Sequence, residues 1–372
     1  MKRIYLFANF GDWNKVPYGG GEVGNRRTLN LLKKAGFDVV TIPKYLRVTN
    51  HSIKNLCILG YRIFFNLCSY FWKLLWGTRQ KSIVHVVGFY GPMIYFEYIL
   101  ILLAKILRYR IVYEMRGGGA DVYYNGGSSV YRFIFRKALV NADIIFTQGL
   151  ENISLFKTIS PSCQYFYYPN YVTNDFFPIT YPIKSKEFIR FIYFGRISPT
   201  KNIDIVVDTF IRLSSKYANL TLDIVGNCTD GAYLESIKNR IMRSGYANRV
   251  KIWAACNHEQ LKEYLADKHF YIFPSTEPHE GHSNALTEAM AWGLIPIATS
   301  QGFNRSVIGD DDLIVKDLSV DEFVARISAI IDNDKIEELS RKMYLRIKEN
   351  YTDEIIYQSL KNEYIRLFSL YF

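Results

Sequence analysis

Two glutamates, Glu280 and Glu288, stand with seven residues between them in the segment Phe273-Pro274-Ser275-Thr276-Glu277-Pro278-His279-Glu280-Gly281-His282-Ser283-Asn284-Ala285-Leu286-Thr287-Glu288. The segment reads as a strand running into a loop, then a helix that Gly293 ends. At this spacing the two carboxylates cannot share one strand–turn contact. They frame the helix start, where the backbone N–H groups around Ser283, Asn284 and Ala285 suit a phosphate. One carboxylate on either side of an anion site can accept hydrogen bonds from sugar or ribose hydroxyls. Taken singly, Glu280 could equally favour the helix dipole and Glu288 a solvated helix face.

A second constellation is Phe194-Gly195-Arg196-Ile197-Ser198-Pro199-Thr200-Lys201-Asn202. A strand ends at Gly195, then an Arg, a Pro-containing turn, a Lys and a helix start follow. Both cations fall at the carboxyl edge of a sheet, where α/β ligands bind. An Arg fork beside a Lys point charge matches a diphosphate. The alternative is two solvated surface cations.

Gly19-Gly20-Gly21-Glu22-Val23-Gly24 satisfies GxGxxG, but the dinucleotide version follows its strand directly and needs an acid after the second strand. Here the first strand ends near Phe10, and the second ends Thr41-Ile42-Pro43-Lys44 with no acid. NAD binding is therefore disfavoured, while the glycines still open a helix whose N–H groups suit an anion. His279-Glu280-Gly281-His282 is not HExxH and has no evident third ligand, so no metal is expected.

These groups need elements to hold them. β-branched and aromatic runs recur at Arg3–Phe10, Asp38–Pro43, Ser82–Tyr90, Arg110–Arg116, Asp143–Gly149 and Cys163–Pro169. Helix-period segments lie between them at Glu22–Lys34, Leu56–Trp76, Met93–Leu107 and Val130–Asn141. The alternation predicts βαβ units and parallel sheets covered on both faces. Tyr171–Lys186 reads as a linker, after which strand and helix alternate again from Phe188. The whole is an α/β chain of two Rossmann-like domains facing across a cleft. The first strand begins near the N-terminus, which reads better as a strand than as a signal segment.

With 372 residues, 49% hydrophobic and 22% charged, the chain is globular and of two-domain size. The charge of +11 favours anionic partners such as nucleic acid, phosphorylated ligands or an anionic membrane face. Five cysteines without a CxxC pair argue against a disulfide scaffold or zinc knuckle. Leu56–Trp76 contains Arg62 and Lys73, and Phe89–Leu107 contains Glu97 and Lys105, so neither reads as a membrane span.

Glu280 and Glu288, followed by Ala289-Met290-Ala291 and Gly293-Leu294-Ile295-Pro296-Ile297-Ala298, resemble the signature of glycosyltransferase family 4 (glycosyl transferases group 1). Gly195-Arg196 with Lys201, and Gly19–Gly21 after the first strand, match that family as well. The resemblance is most specific over residues 188–300. It implies the GT-B fold, with an acceptor-side domain over 1–180 that the C-terminal helix, about 350–372, rejoins. The donor-binding domain would span 181–349. It also implies a retaining transferase of the hexosyltransferase type. Such an enzyme moves a sugar from a nucleotide-diphosphate sugar to a glycan acceptor, without metal or other cofactor.

Residue by residue, Arg196 and Lys201 would hold the donor diphosphate and Glu280 the donor sugar, these three being the catalytic set. Glu288 would hold the ribose, and the backbone of Ser283, Asn284 and Ala285 the phosphates. Gly20 and Gly21 would close over the phosphates from the other domain. Arg116, in Glu114-Met115-Arg116-Gly117, stands where many relatives carry a histidine. An Arg cannot act as a base near neutral pH. It is a candidate for binding an anionic acceptor, as is His85, although a strand histidine is more often a satisfied core residue.

Basic residues among Leu56, Phe64, Phe65, Trp72 and Trp76 suit an anionic bilayer surface. The expectation is a cytoplasmic enzyme, peripheral on the inner face of the cell membrane, with a lipid-linked acceptor and no nucleic-acid partner. It would serve cell-surface polysaccharide or lipopolysaccharide synthesis. The plain alternative is two ordinary helices covering a sheet. Another nucleotide-sugar enzyme such as an epimerase, or a binding subunit of the same fold, would share most of these features.

Overall fold

The computed structural model describes residues 2–15, 19–44, 46, 52–185 and 187–372. Lys186, the end of the expected linker, lies outside the described residues. The chain divides into two compact units, residues 1–169 with 356–372, and residues 170–355. Residues 170–180, placed with the amino-terminal domain from the sequence, cluster with the second unit instead.

In the first unit the order is β1 (Arg3–Ala8), α1 (Gly20–Lys34), β2 (Asp38–Pro43), α2 (Ile53–Leu75), β3 (Ser82–Phe89), α3 (Met93–Ile106), β4 (Arg110–Arg116), α4 (Ala120–Gly126), α5 (Ser129–Asn141), β5 (Ile144–Thr147), α6 (Leu150–Ile159) and β6 (Tyr165–Tyr167). Its sheet runs β2-β1-β3-β4-β5-β6, all parallel. Strands β3 and β4 are buried almost throughout, as their Val- and Ile-rich sequences favour, and they carry the buried polar residues His85, Glu114 and Arg116 inward with them. The order reverses between β1 and β3. A parallel sheet leaves a crevice at the carboxyl ends of such a pair.

The second unit continues with β7 (Ile189–Phe194), α7 (Ile203–Ser214), β8 (Leu220–Val225), α8 (Gly231–Arg243), β9 (Val250–Trp253), α9 (His258–Leu265), β10 (Phe270–Phe273), α10 (Asn284–Ala291), β11 (Ile295–Thr299), α11 (Asn304–Ile308), β12 (Ile314–Val315), α12 (Val320–Asp332), α13 (Ile336–Asn350) and α14 (Asp353–Tyr371). Here the sheet runs β12-β11-β10-β7-β8-β9, with the reversal between β7 and β10. These two strands register only at Phe191–Phe270 and Ile192–Tyr271, then part. The stacked rings of Phe191 and Phe270, 5.1 Å apart, pin the pair at its buried end and leave the carboxyl end open. Helix α7 covers the sheet with Ile203, Val206, Val207, Phe210 and Leu213, the spacing of one helical face.

From Ile356 onward α14 packs in the first unit, where Tyr364 and Phe368 meet Phe37. Val172 and Thr352 form a bridge within the second unit, closed by Val172 N–H to Tyr351 O and Asp353 N–H to Val172 O. The sequence reading did not separate α4 or α6. Helix α4 sits between glycine-rich stretches whose composition favours turns. Gly119, at φ +91°, starts it by a backbone conformation that other residues resist.

Candidate functional site

At the reversal between β7 and β10 the two loops are sewn together. Gly195, at φ +136°, turns the chain out of β7. Asn202, in the left-handed region at φ 50°, donates to Pro274 O at 2.8 Å and to Thr276 Oγ1 at 3.0 Å. Thr276 N–H returns a bond to Thr200 O at 2.8 Å. The result places every candidate donor-binding side chain of this unit at the carboxyl edge of the sheet, on loops fixed from both strands.

Lys201 is 9% exposed. Its Nζ pairs with Glu280 Oε2 and donates to Ser275 Oγ at 3.1 Å, while Ser275 Oγ donates to Glu280 at 2.8 Å. Lys201 also lies 5.3 Å from the centre of the Phe273 ring. Arg196 is the opposite case. Its side chain is 64% exposed and 3.6 Å from Glu277, which also accepts from Thr200 Oγ1 at 3.0 Å. One cation is locked and buried, the other is exposed beside a carboxylate. The end of β11 and the loop after it hold this arrangement from behind: Thr299 donates to Ser275 O at 2.6 Å and Gln301 to Glu277 O at 3.0 Å. Gly302, at φ +61°, lies so close to the Glu280 backbone that any side chain there would collide with it.

Helix α10 begins at this edge. Ser283 caps it by accepting from Leu286 N–H, which leaves the first-turn N–H groups of Asn284 and Ala285 as the helix's orphan donors. Asn284 Oδ1 is buried without a partner among the described residues. Glu288 lies one turn further along, 9% exposed, with its Oε1 3.4 Å from His258 Nε2. Thus the structure brings Arg196, Lys201, Glu280, Ser283, Asn284 and Ala285 to one loop cluster and sets Glu288 on the helix they border. His282 is buried, with Nε2 2.8 Å from Thr287 Oγ1, which makes it part of the helix start. Among the described residues no group of three His, Cys, Asp or Glu could hold a metal ion.

Sequence reasoning missed Ser275, Glu277, Thr200 and His258. Ser275 and Glu277 lie just after β10, and Thr200 precedes Lys201 in the loop after β7, so position after a strand was the available signal for these three. His258 gave no signal, because only the tertiary fold sets the start of α9 beside Glu288.

The first unit has its own cavity at the reversal between β1 and β3. It holds about 430 Å³ and is lined by Asn9, Glu22, Asn25, Lys44, Phe89 and Arg116, with Gly19 and Gly21 at its edge. Gly20 and Gly21 open α1, as expected of a glycine-rich helix start. Asn25 Oδ1 is buried without a partner among the described residues. Lys44 Nζ sits 3.3 Å from Glu97, a buried carboxyl that burial pushes above the usual range although Lys44 and Tyr113 draw it back.

Arg116 lines this cavity but is not a free cation. Its Nε donates to Glu114 at 2.5 Å and its Nη2 to Thr28 Oγ1 at 3.0 Å. Gly24 leaves room for it, since a Cβ there would collide with the guanidinium. Glu114 reaches on to His85 Nε2 at 2.9 Å, and His85 Nδ1 meets the Tyr364 hydroxyl of α14 at 2.7 Å. Burial alone would raise the Glu114 carboxyl, but the Arg116 charge and His85 outweigh it and bring it down to about 2. His85 is wholly buried, hydrogen-bonded through Nδ1 to Tyr364 and with Nε2 beside Glu114, so it stands behind Arg116 and away from solvent.

Residues 175–351 match the family described as glycosyl transferases group 1. This is the family whose signature the segment around Glu280 and Glu288 resembles. A phosphatidylinositol N-acetylglucosaminyltransferase gpi3 subunit of Schizosaccharomyces pombe is 22% identical over 48% of this chain and 40% of its own length. The chain thus matches less than half of that relative. Among solved structures, sucrose-phosphate synthase from Thermosynechococcus elongatus superposes with a TM-score of 0.72, at 18% identity and 100% coverage of both chains. HepE from Anabaena in complex with UDP gives 0.68, at 15% identity, covering 98% of this chain and 100% of that one. The fold is GT-B.

Proposed function

We propose that this GT-B chain, whose residues 175–351 match the group 1 glycosyl transferases, moves a sugar from a nucleotide-diphosphate sugar to a glycan acceptor with retention at the anomeric carbon. The observation that carries this reading is the meeting of Arg196, Lys201 and the α10 N-terminus where β7 and β10 part.

Breaking the bond to the diphosphate puts negative charge on the leaving group and leaves an oxocarbenium-like carbon. Preorganised donors aimed at the leaving group are the main source of rate in such a step. Lys201 is already fixed beside Glu280, so a bound diphosphate adds a second anion to a lysine held in place. Arg196, on its exposed side chain, swings onto the phosphates as a fork. The N–H groups of Asn284 and Ala285 complete the cradle in this unit. Glu280 takes hydroxyls of the donor sugar, and Glu288 takes the ribose. The acceptor hydroxyl attacks from the face the diphosphate leaves, and the leaving phosphate oxygen takes its proton.

On the acceptor side, Asn25 Oδ1 is a buried acceptor that fits a sugar hydroxyl, and Phe89 offers an exposed ring beside it. Arg116, held by Glu114 and Thr28, presents a fixed cationic edge in place of a base. The relative named for phosphatidylinositol supports a lipid-linked acceptor, and with it a cytoplasmic, peripheral-membrane enzyme of cell-surface glycan synthesis.

The test is acceptor-dependent release of nucleoside diphosphate, with the product's anomeric configuration read by NMR. Thermal shifts across nucleotide-diphosphate sugars select the donor, since a ligand at about 100 times its Kd stabilises by about 2.7 kcal/mol. Turnover that ignores added acceptor, or an inverted product, overturns the reading.

A further inference from the structure

Helix α2 spans 23 residues yet buries only Asn66, Tyr70 and Leu74, the i, i+4, i+8 stripe of a single narrow face. At 100° per residue the opposite face carries Tyr61, Phe64, Phe65 and Trp72, with Ile53 and Trp76 at its two ends. All six are exposed, Phe64 at 67% and Trp76 at 81%. Helix α3, the other apolar stretch of this unit, buries a wider face, with Ile94, Phe96, Leu100, Ile101 and Ala104 covered and Tyr95, Ile99 and Ile106 left exposed. The two apolar stretches therefore have different jobs. One covers the sheet, and the other turns aromatic rings outward.

Charge around α2 is one-sided. From Val39 to Phe96 the chain has seven Lys or Arg and not one Asp or Glu. Lys54 and Arg62 lie on α2 itself, and Arg79 and Lys81 follow it. Among the described residues no helix is long and apolar enough to cross a membrane. An aromatic face flanked by cations, on a helix that does not span, is the chemistry of an in-plane interfacial helix.

We propose that α2 is a membrane-docking element that lies in the headgroup region of an anionic bilayer. The aromatic rings insert at the acyl boundary, and the cations meet the lipid phosphates. A second copy of this chain is the wrong occupant. A two-fold contact through the same patch would set cation against cation across the interface. The proposal gives the lipid-linked acceptor reading a physical address. It rests on that reading only for the purpose of docking, not for the docking itself.

The experiment is flotation of the full chain with vesicles of phosphatidylcholine alone and of phosphatidylcholine mixed with phosphatidylglycerol. UDP-induced thermal shift is measured in parallel on every variant. Expected is binding that needs phosphatidylglycerol and weakens as salt rises. Phe64→Ser/Phe65→Ser/Trp72→Ser weakens it by at least about tenfold, since each loses an inserted ring. Lys54→Gln and Arg62→Gln each weaken it by about fivefold. All these sites are off the donor cluster, so the UDP shift stays as in the parent protein. Failure to float at low salt, or equal binding to neutral vesicles, overturns the proposal. So does a solution dimer that the triple variant abolishes. Vesicle binding without any UDP shift leaves docking standing and overturns the donor-site reading instead.

Discussion

The two units are built alike and charged differently. Each is a six-stranded parallel sheet whose order reverses once, and each gathers polar side chains at that reversal. The first unit holds 24 Lys and Arg against 9 Asp and Glu, a balance of +15, while the second holds 22 against 26, a balance of −4. The excess positive charge of the chain is therefore not at the diphosphate cluster. There, Lys201 and Arg196 each face a carboxylate, Glu280 and Glu277. The cations at the first unit's cavity are matched as well, Arg116 by Glu114 and Lys44 by Glu97. The sequence excess is concentrated in stretches such as 39–96, with seven Lys or Arg and no Asp or Glu. A whole-chain charge of +11 speaks to the surface and its partners, and a phosphate site has to be argued from geometry.

On the proposed reading, donor chemistry belongs to the second unit and acceptor positioning to the first. Its sharpest test is Lys201→Ala, expected to lower turnover by about 10²–10³, or about 3–4 kcal/mol, the scale of losing one transition-state donor. Arg196→Ala should lose less, about tenfold, because its exposed side chain works through solvent. Steady-state kinetics with donor and acceptor decide both. Unchanged rates in the two variants would remove the donor site from the β7–β10 reversal.

Glu114→Gln probes the buried chain of the first unit. The folded carboxyl, at about 2, lies below the ordinary glutamate value of 4.5. The folded state thus binds fewer protons, so this stability is present above 4.5 and is lost as pH falls through about 2. A gap of that width corresponds to about 3 kcal/mol. Urea unfolding should show the variant weaker by about that much at pH 7, with the difference closing toward pH 2. A difference independent of pH would mean that the charge of Glu114 is not what holds Arg116.

Within the second unit the two framing glutamates should separate. Glu288→Gln is expected to weaken free nucleotide binding about tenfold, or about 1.4 kcal/mol. Glu280→Gln should spare the free nucleotide and impair use of the intact donor. Calorimetry with nucleotide alone and with nucleotide sugar reads the split, and equal losses for both ligands in both variants would contradict it. The smallest expected effect is Tyr364→Phe, which removes one hydrogen bond to His85 and should lower stability by about 1 kcal/mol while leaving UDP binding unchanged. A loss of nucleotide affinity there would break the division of labour.

Short-range patterns determined much of this in the sequence alone. Hydrophobic runs of strand length located β2 and β4 to the residue, and the Gly-Arg-Pro-Lys order after β7 and the glutamates at α10 pointed to the loop cluster at the β7–β10 reversal. Strand periodicity and helix starts depend on neighbours a few residues apart, so one dimension is enough to see them. Tertiary structure alone decided which groups those side chains meet. Lys201 finds Glu280 across 79 positions and His85 finds Tyr364 across 279, partners that no spacing rule connects. The same holds for burial. Leu56–Trp76 and Phe89–Leu107 both read as apolar stretches with a few charges, yet α3 buries Ile94, Phe96, Leu100, Ile101 and Ala104 while α2 buries only Asn66, Tyr70 and Leu74. Which face of a helix is covered depends on what packs against it, and that is settled only when the sheet is assembled.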